Sequence, residues 1–154
     1  MRPRIYIDTS VVGGYFDEEF IDVTEVFFEQ FRGGNFVFVV SDLLDLELLN
    51  APARVRDLLG NYPAELFERV AFTEEAEKLA NQYIAEKVVG KTSLPDCRHI
   101  ALATLARVDV LASWNFKHIV NIQRIHGYNS VNLRLGYPLL EIRSPKDLLT
   151  YEND

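Results

Sequence analysis

The sequence predicts an α/β domain with a mainly parallel sheet flanked by helices, and three observations carry that expectation. Segments of strand character alternate with segments of helical periodicity along the whole chain. Residues 35–40 form a continuous apolar run, the pattern of a strand covered on both faces. The 154 residues, 48% of them hydrophobic, supply a core for one domain, and no repeat, low-complexity tract or linker divides them. The chain is read as a single domain over 1–154.

Residues 4–8 read as a short strand ending in Asp8. Over 18–32, Phe20, Val23, Phe27, Phe28 and Phe31 recur at the spacing of an amphipathic helix, which Gly33 and Gly34 close. With the strand at 35–40 this makes a strand, helix, strand unit whose crossover is long enough for a right-handed parallel connection. Gly13 and Gly14 lack both a Walker lysine and the dinucleotide glycine spacing, and read as a hinge or turn. Ser41 is the expected N-cap of a helix over 42–50, which Pro52 stops before opening a second helix towards Gly60. Residues 64–70 read as helix or loop. Thr73 opens the next helix, with Glu74 and Glu75 at the positive end of its dipole and Leu79, Tyr83 and Ile84 as its buried stripe. The Ala- and Leu-rich residues 95–107 predict a closely packed helix, and 109–113 a third strand. A polar helical stretch over 117–134 follows. Gly136, Tyr137 and Pro138 then turn the chain into a short strand at 139–142, and Ser144 with Pro145 caps a last short helix.

The net charge of −7 excludes a protein that coats nucleic acid through overall positive charge. The halves differ, however: residues 1–77 hold 6 basic and 16 acidic residues, and 78–154 hold 10 basic and 7 acidic. That asymmetry permits a basic face beside an acidic pocket, and equally describes solvated helix surface in the first half. The single cysteine, Cys97, forms no internal disulfide. No run of about 18 apolar residues and no signal-peptide core is present, so no membrane segment and a cytoplasmic location are expected. His99, His118, His126 and Cys97 do not have the spacing of a structural zinc site.

In open parallel sheets ligands bind beyond the carboxyl ends of the strands. Asp8 ends the first strand, Asn115 follows the strand at 109–113, Asp96 sits in the first turn of the helix before that strand, and Glu47 lies on the helix after the second strand. Each has an ordinary explanation: a turn or cap for Asp8, first-turn decoration for Asp96, an exposed position on an acidic helix for Glu47. Leu46, Leu48 and Leu49 around Glu47 argue instead for a crevice. A cluster of carboxylates is costly unless a cation offsets the repulsion, and oxygen ligands suit Mg²⁺ or Mn²⁺. Such an ion supplies hydroxide near neutral pH and stabilises charge on an attacked phosphate.

Three strings carry a resemblance: IYIDTSVV at 5–12, VVSDLLDLELLN at 39–50, and LPDCRHIALATLARVDVLASWNFKHI at 94–119. In this order they resemble the PIN-domain family. The resemblance implies a PIN-like three-layer α/β/α sandwich and an Mg²⁺- or Mn²⁺-dependent endoribonuclease, frequently the VapC-like toxin of a type II toxin–antitoxin pair. It matches Asp8, Glu47 and Asp96 to the family's acidic metal ligands, and implies RNA as substrate, an antitoxin protein as partner and a homodimer. The Phe-rich first helix, richer than one core needs, points the same way. The fourth acidic position falls on Asn115, an amide that brings no charge, which puts a second metal in doubt. Ser113 is placed to orient a ligand or to bond backbone. Lys91, Arg98, Lys117, Arg124 and Arg134 are candidates for RNA phosphates, and Trp114, Tyr128 and Tyr137 for stacking on bases. Two other readings stay open: a weak or inactive PIN-like module that binds RNA or protein, motivated by Asn115, and a receiver-like phosphoacceptor, for which Lys117 is the only matching feature.

Overall fold

The alternation of Ile5 and Ile7 with Tyr6 sends side chains to opposite faces of the first strand, and all three are buried. In the computed structural model, which describes residues 2–151, that strand is the centre of the sheet. Strands β1 (Arg4–Ile7), β2 (Val37–Ser41), β3 (Phe67–Val70), β4 (Val110–Ala112) and β5 (Ile142–Arg143) run in the order β3-β2-β1-β4-β5. Every neighbouring pair is parallel.

Helices cover both faces. On the side of Ile5, Ile7, Phe38 and Val40 pack α1 (Thr9–Gly14), α2 (Ile21–Arg32) and α3 (Asp42–Leu48), with α4 (Ala53–Arg56) and the ends of α8 (Pro145–Leu148) at the margins. On the side of Tyr6, Val39 and Leu111 pack α5 (Glu74–Ala85), α6 (Leu94–Leu105) and α7 (Ile122–Arg134). The chain is thus an α/β/α sandwich, as expected. It moves outward from β1 through β2 to β3, then returns to the other side of β1 with β4 and β5. The strand order reverses between β1 and β4, and the carboxyl ends of those two strands flank the crevice where doubly wound sheets bind ligands.

Three local expectations are corrected, and one helix, at residues 9–14, comes in addition. Residues 67–70 are a strand, β3, neither helix nor loop. Its four residues, FERV, include two charges because it lies at the sheet edge with one open side. Residues 9–14 form a helix the periodicity does not announce, since two β-branched valines and two glycines are poor helix formers and the Asp8 cap starts it. The helix expected from 117 begins at Ile122, after a tight turn over 116–119. The Phe stripe of α2 is no surplus: Phe27, Phe28 and Phe31 are fully buried within this one chain, against Phe36, Phe38, Tyr62 and Phe67. That stripe carries no argument for a dimer.

Gly14, read as part of a hinge or turn, is the last residue of α1, and it is there for space. A Cβ on it meets the Trp114 ring at 2.7 Å and Thr24 Oγ1 at 3.1 Å. Trp114 is wedged by stacking on Phe20 and by donating from Nε1 to Thr24, so it has little room to yield. Gly14→Ala is expected to destabilise the fold by about 1–3 kcal/mol, the usual cost of overpacking, measured as a lower denaturation midpoint at unchanged slope.

Candidate active site

Asp8 lies immediately beyond β1, buried at 4% exposure, and caps α1. One oxygen, Oδ1, accepts from Ser10 Oγ at 2.6 Å and from the Val11 amide at 3.3 Å, while Oδ2 accepts from Ser113 Oγ at 2.6 Å. Ser113, just past β4, therefore ties the ends of the two central strands together, and also accepts from the Asn115 amide. Both readings of this serine hold: it donates to a candidate site residue, Asp8, and it bonds backbone at Asn115.

Ser41 ends β2 and caps α3 by accepting from the Leu44 amide. This start sets the phase of α3, burying Leu44 and Leu48 and leaving Leu46 and Leu49 exposed, so Glu47 faces the crevice half-buried. Its Oε1 accepts from Thr9 Oγ1 at 2.5 Å and stands 2.6 Å from His99 Nε2. Asp96, in the first turn of α6 behind Pro95, has its Oδ2 3.2 Å from Asn115 Nδ2, which donates to it. The other end of the Asn115 amide, Oδ1, accepts from the Lys117 and His118 amides and shapes the turn after β4.

The four residues singled out from the sequence thus come from four separate segments to the same edge of the sheet. Their charges interact: Asp96 feels both Asp8 and Glu47. Burial pushes the Asp8 carboxyl above the usual carboxylate range, against the opposing pull of His99 and the hydrogen bonds from Ser10, Ser113 and Val11. Asp96 is also raised, first by burial and then by the charge of Asp8. Glu47 differs. Burial is the largest single influence and raises it, but the hydrogen bonds from His99 and Thr9, joined by the charge of His99 whenever its ring is protonated, outweigh burial and hold it below the usual range.

A raised folded-state value means that folding favours the protonated form, so the Asp96 contribution is fully present below its ordinary 3.8 and lost as pH rises through the folded value. Asp96→Asn removes that loss. The variant is expected to be more stable than wild type at neutral pH in metal-free buffer, with the difference vanishing towards acid below about pH 4, as followed by thermal melts across pH.

Among the described residues no three His, Cys, Asp or Glu side chains close on one point ready to hold an ion. The donor chemistry nonetheless fits a hard divalent cation: three carboxylates, of which Asp8 and Asp96 are destabilised as anions by burial, and Asp96 also by the charge of Asp8. Glu47 Oε2 and Asp96 Oδ1 accept no hydrogen bond from any described residue.

Sequence reasoning missed the residues that hold the carboxylates. Thr9 and Ser10 supply hydroxyls to Glu47 and Asp8, and the signal was present in the Asp-Thr-Ser string. His99, weighed above only for zinc, shares a helix face with Asp96 three residues earlier. Other expectations are corrected. Trp114 and Tyr128 are buried core residues that cannot stack on a base, while Tyr137 stays partly exposed with its hydroxyl donating to Glu75. Phe116, about half-exposed beside Asn115, is the accessible aromatic group at this edge. Arg98 is paired with Glu77 through two bonds of 2.7 and 2.9 Å, and Arg134 is paired with Glu86. Lys91 and Arg124, with Lys87, line an open cleft of about 490 Å³ that also includes Val89 and Gly90. No helix among the described residues is long and apolar enough to cross a membrane.

No protein-family model matches the chain, and no curated protein matches it by sequence. Solved structures do. VapC20 of Mycobacterium tuberculosis, a sarcin–ricin loop cleaving toxin, matches at TM-score 0.57 and 12% identity, over 73% of this chain and 91% of that one. FitAcB from Neisseria gonorrhoeae matches at TM-score 0.57 and 13% identity, over 94% of this chain and 99% of that one. DNA-bound VapBC from Salmonella typhimurium matches at TM-score 0.56 and 15% identity, again over 94% and 99%. Identities this low speak to the fold alone. The all-parallel, helix-flanked sheet described above is the PIN-like fold of the VapC toxins.

Proposed function

We propose that the chain is a divalent-metal-dependent endoribonuclease that works as the toxin of a toxin–antitoxin pair. The observation that carries this reading is the convergence of Asp8, Glu47 and Asp96, from three segments, on the crevice where the strand order reverses. The likeness in fold to a sarcin–ricin loop cleaving toxin supports it. Asp8, fixed by three donors, is the rigid ligand, and Glu47 Oε2 and Asp96 Oδ1 are the oxygens left to complete the set. Mg²⁺ or Mn²⁺ there supplies, when bound, an acidified water and compensation for charge on the attacked phosphate. Hydrolysis forms one P–O bond from water and breaks another, and the departing oxygen takes up a proton. An antitoxin protein and a second copy of the chain are the partners of this reading.

Incubating the protein with mixed RNAs, with and without Mn²⁺, tests it: internal cleavage that requires the ion is expected, and intact RNA under both conditions rejects it. One observation favours the rival reading, a PIN-like module without activity. The Asn115 carbonyl is occupied by two backbone amides and its NH₂ by Asp96, so it offers no ligand atom.

RNA must meet a local basic surface on this acidic chain. Among the basic residues named from the sequence, Lys91, Lys117 and Arg124 have no carboxylate partner among the described residues, Arg124 donating instead to the Val88 carbonyl, whereas Arg98 and Arg134 do. Lys91→Glu combined with Lys117→Glu is therefore expected to weaken RNA binding about tenfold and to flatten its salt dependence, whereas changes at Arg134 have little effect. Filter binding across salt concentrations checks this, and equal effects at all positions return these residues to solvated surface.

A further inference from the structure

A buried polar chain runs from the middle of the sheet to the crevice. The Leu44 amide donates to Ser41 Oγ, Ser41 Oγ lies 3.0 Å from Tyr6 OH, Tyr6 OH lies 2.6 Å from His99 Nδ1, and His99 Nε2 lies 2.6 Å from Glu47 Oε1. Ser41 and Tyr6 are fully buried and His99 is 3% exposed, so water does not substitute for any of these partners. One sense of donation satisfies every group. Ser41 gives its proton to Tyr6, Tyr6 gives its own to Nδ1, and the ring carries its proton on Nε2 for Glu47. Thr9 Oγ1 donates to the same Glu47 oxygen from the opposite element. Both fixed contacts fall on Oε1, and neither falls on Oε2.

We propose that Tyr6 and His99 are positioning residues for Glu47: acting with Thr9 on Oε1, they lock the carboxylate so that Oε2 alone is presented to a divalent ion. The proposal rests on the metal-site reading of the crevice and adds to it residues drawn from the sheet interior. A glutamate on a helix surface has several rotatable bonds, and a ligand held in one orientation loses less freedom on binding the ion. The position of the relay fits this role better than that of an ordinary satisfied core histidine. Nε2 is buried, yet the acceptor it meets is Glu47, a half-buried carboxylate at the crevice and not a backbone carbonyl of the core.

Mn²⁺ affinity of the intact protein, read by electron paramagnetic resonance titration, is the test, with circular dichroism to confirm that each variant is folded. Tyr6→Phe keeps the ring and removes the hydroxyl that orients His99, and its affinity is expected to fall about tenfold; His99→Leu, where folded, should lose about 10–100-fold. His99→Gln, which keeps a donor for Glu47, should recover part of that loss. In a Glu47→Gln background Tyr6→Phe should change affinity no further, because the residue it acts through is gone. If wild type binds Mn²⁺ and Tyr6→Phe binds it equally well, or if the loss is the same in the Glu47→Gln background, the positioning role is overturned while the metal site stands. If wild type itself does not bind Mn²⁺, the metal-site reading falls and the proposal falls with it.

Discussion

Asp8→Asn is expected to abolish the stabilisation by Mn²⁺ that the proposed site predicts for the wild-type protein, and to lower RNA cleavage by more than about a hundredfold. The bound is set by comparison: removing a residue that merely supports a metal ligand costs about 10–100-fold, so removing the ligand itself costs more. The fold should survive. Asparagine keeps an oxygen for Ser10 and the Val11 amide, and Ser113, rotating its hydroxyl, can accept from the new NH₂ instead of donating. Burial already disfavours the Asp8 anion, so its loss leaves the metal-free protein about as stable as wild type. Melting curves with and without millimolar Mn²⁺, alongside cleavage rates, separate the outcomes. A variant that unfolds marks Asp8 as a structural cap, and a folded variant that still responds to Mn²⁺ removes it from the site.

Asn115→Asp is expected to give the second large effect, with opposite signs in the absence and presence of metal. The new carboxylate keeps the turn, because one oxygen still accepts from the Lys117 and His118 amides. Its other oxygen stands where the NH₂ now donates, 3.2 Å from Asp96 Oδ2, and a hydrogen bond becomes a repulsion between like charges. Both side chains are partly exposed, so solvent screens much of this, and a loss of about 1–2 kcal/mol is expected. For a chain of this size that is a melting temperature lower by roughly 2–8 °C without metal. With Mn²⁺ the added charge becomes an added ligand, so the ion-induced rise in melting temperature should exceed that of wild type. Cleavage should increase about tenfold, the consequence of about 1.4 kcal/mol of barrier lowering by a second ion. Slower cleavage means that the amide is needed as it is, holding Asp96 by donation. No change in either measurement places Asn115 outside the site.

The fold class was legible because it rests on features that repeat along the chain: strand and helix periods, the two-sided apolar run before Ser41, and caps such as Ser41 and Thr73 that the structure uses as expected. Asp8 was legible because strand ends are readable and the sheet rule says what lies beyond them, whereas Glu47 and Asp96 lie on helices and are singled out mainly by the resemblance. What supports these carboxylates was not legible. Thr9 reaches Glu47 across 38 positions, His99 reaches Glu47 across 52, and Tyr6 reaches His99 across 93. Such contacts follow only from the strand order, which local pattern does not give. The same gap explains the aromatic and basic candidates. A tryptophan following a strand looks like a base-stacking group until Phe20 is found lying on it, and Arg98 looks free until α5 brings Glu77 beside it. The short β3 and α1 escaped for a different reason. Each is set by a neighbour, an edge partner in one case and an Asp cap in the other, and neither carries a periodic signal of its own.

The central claim is that one crevice, at the carboxyl ends of β1 and β4, holds the ion. The most direct measurement is an anomalous difference map from crystals of the protein soaked in Mn²⁺. A peak bounded by Asp8, Glu47 Oε2 and Asp96 Oδ1, and missing from Asp8→Asn crystals, is the predicted result. A map with no peak at that edge of the sheet, or with Mn²⁺ bound only elsewhere on the surface, contradicts it.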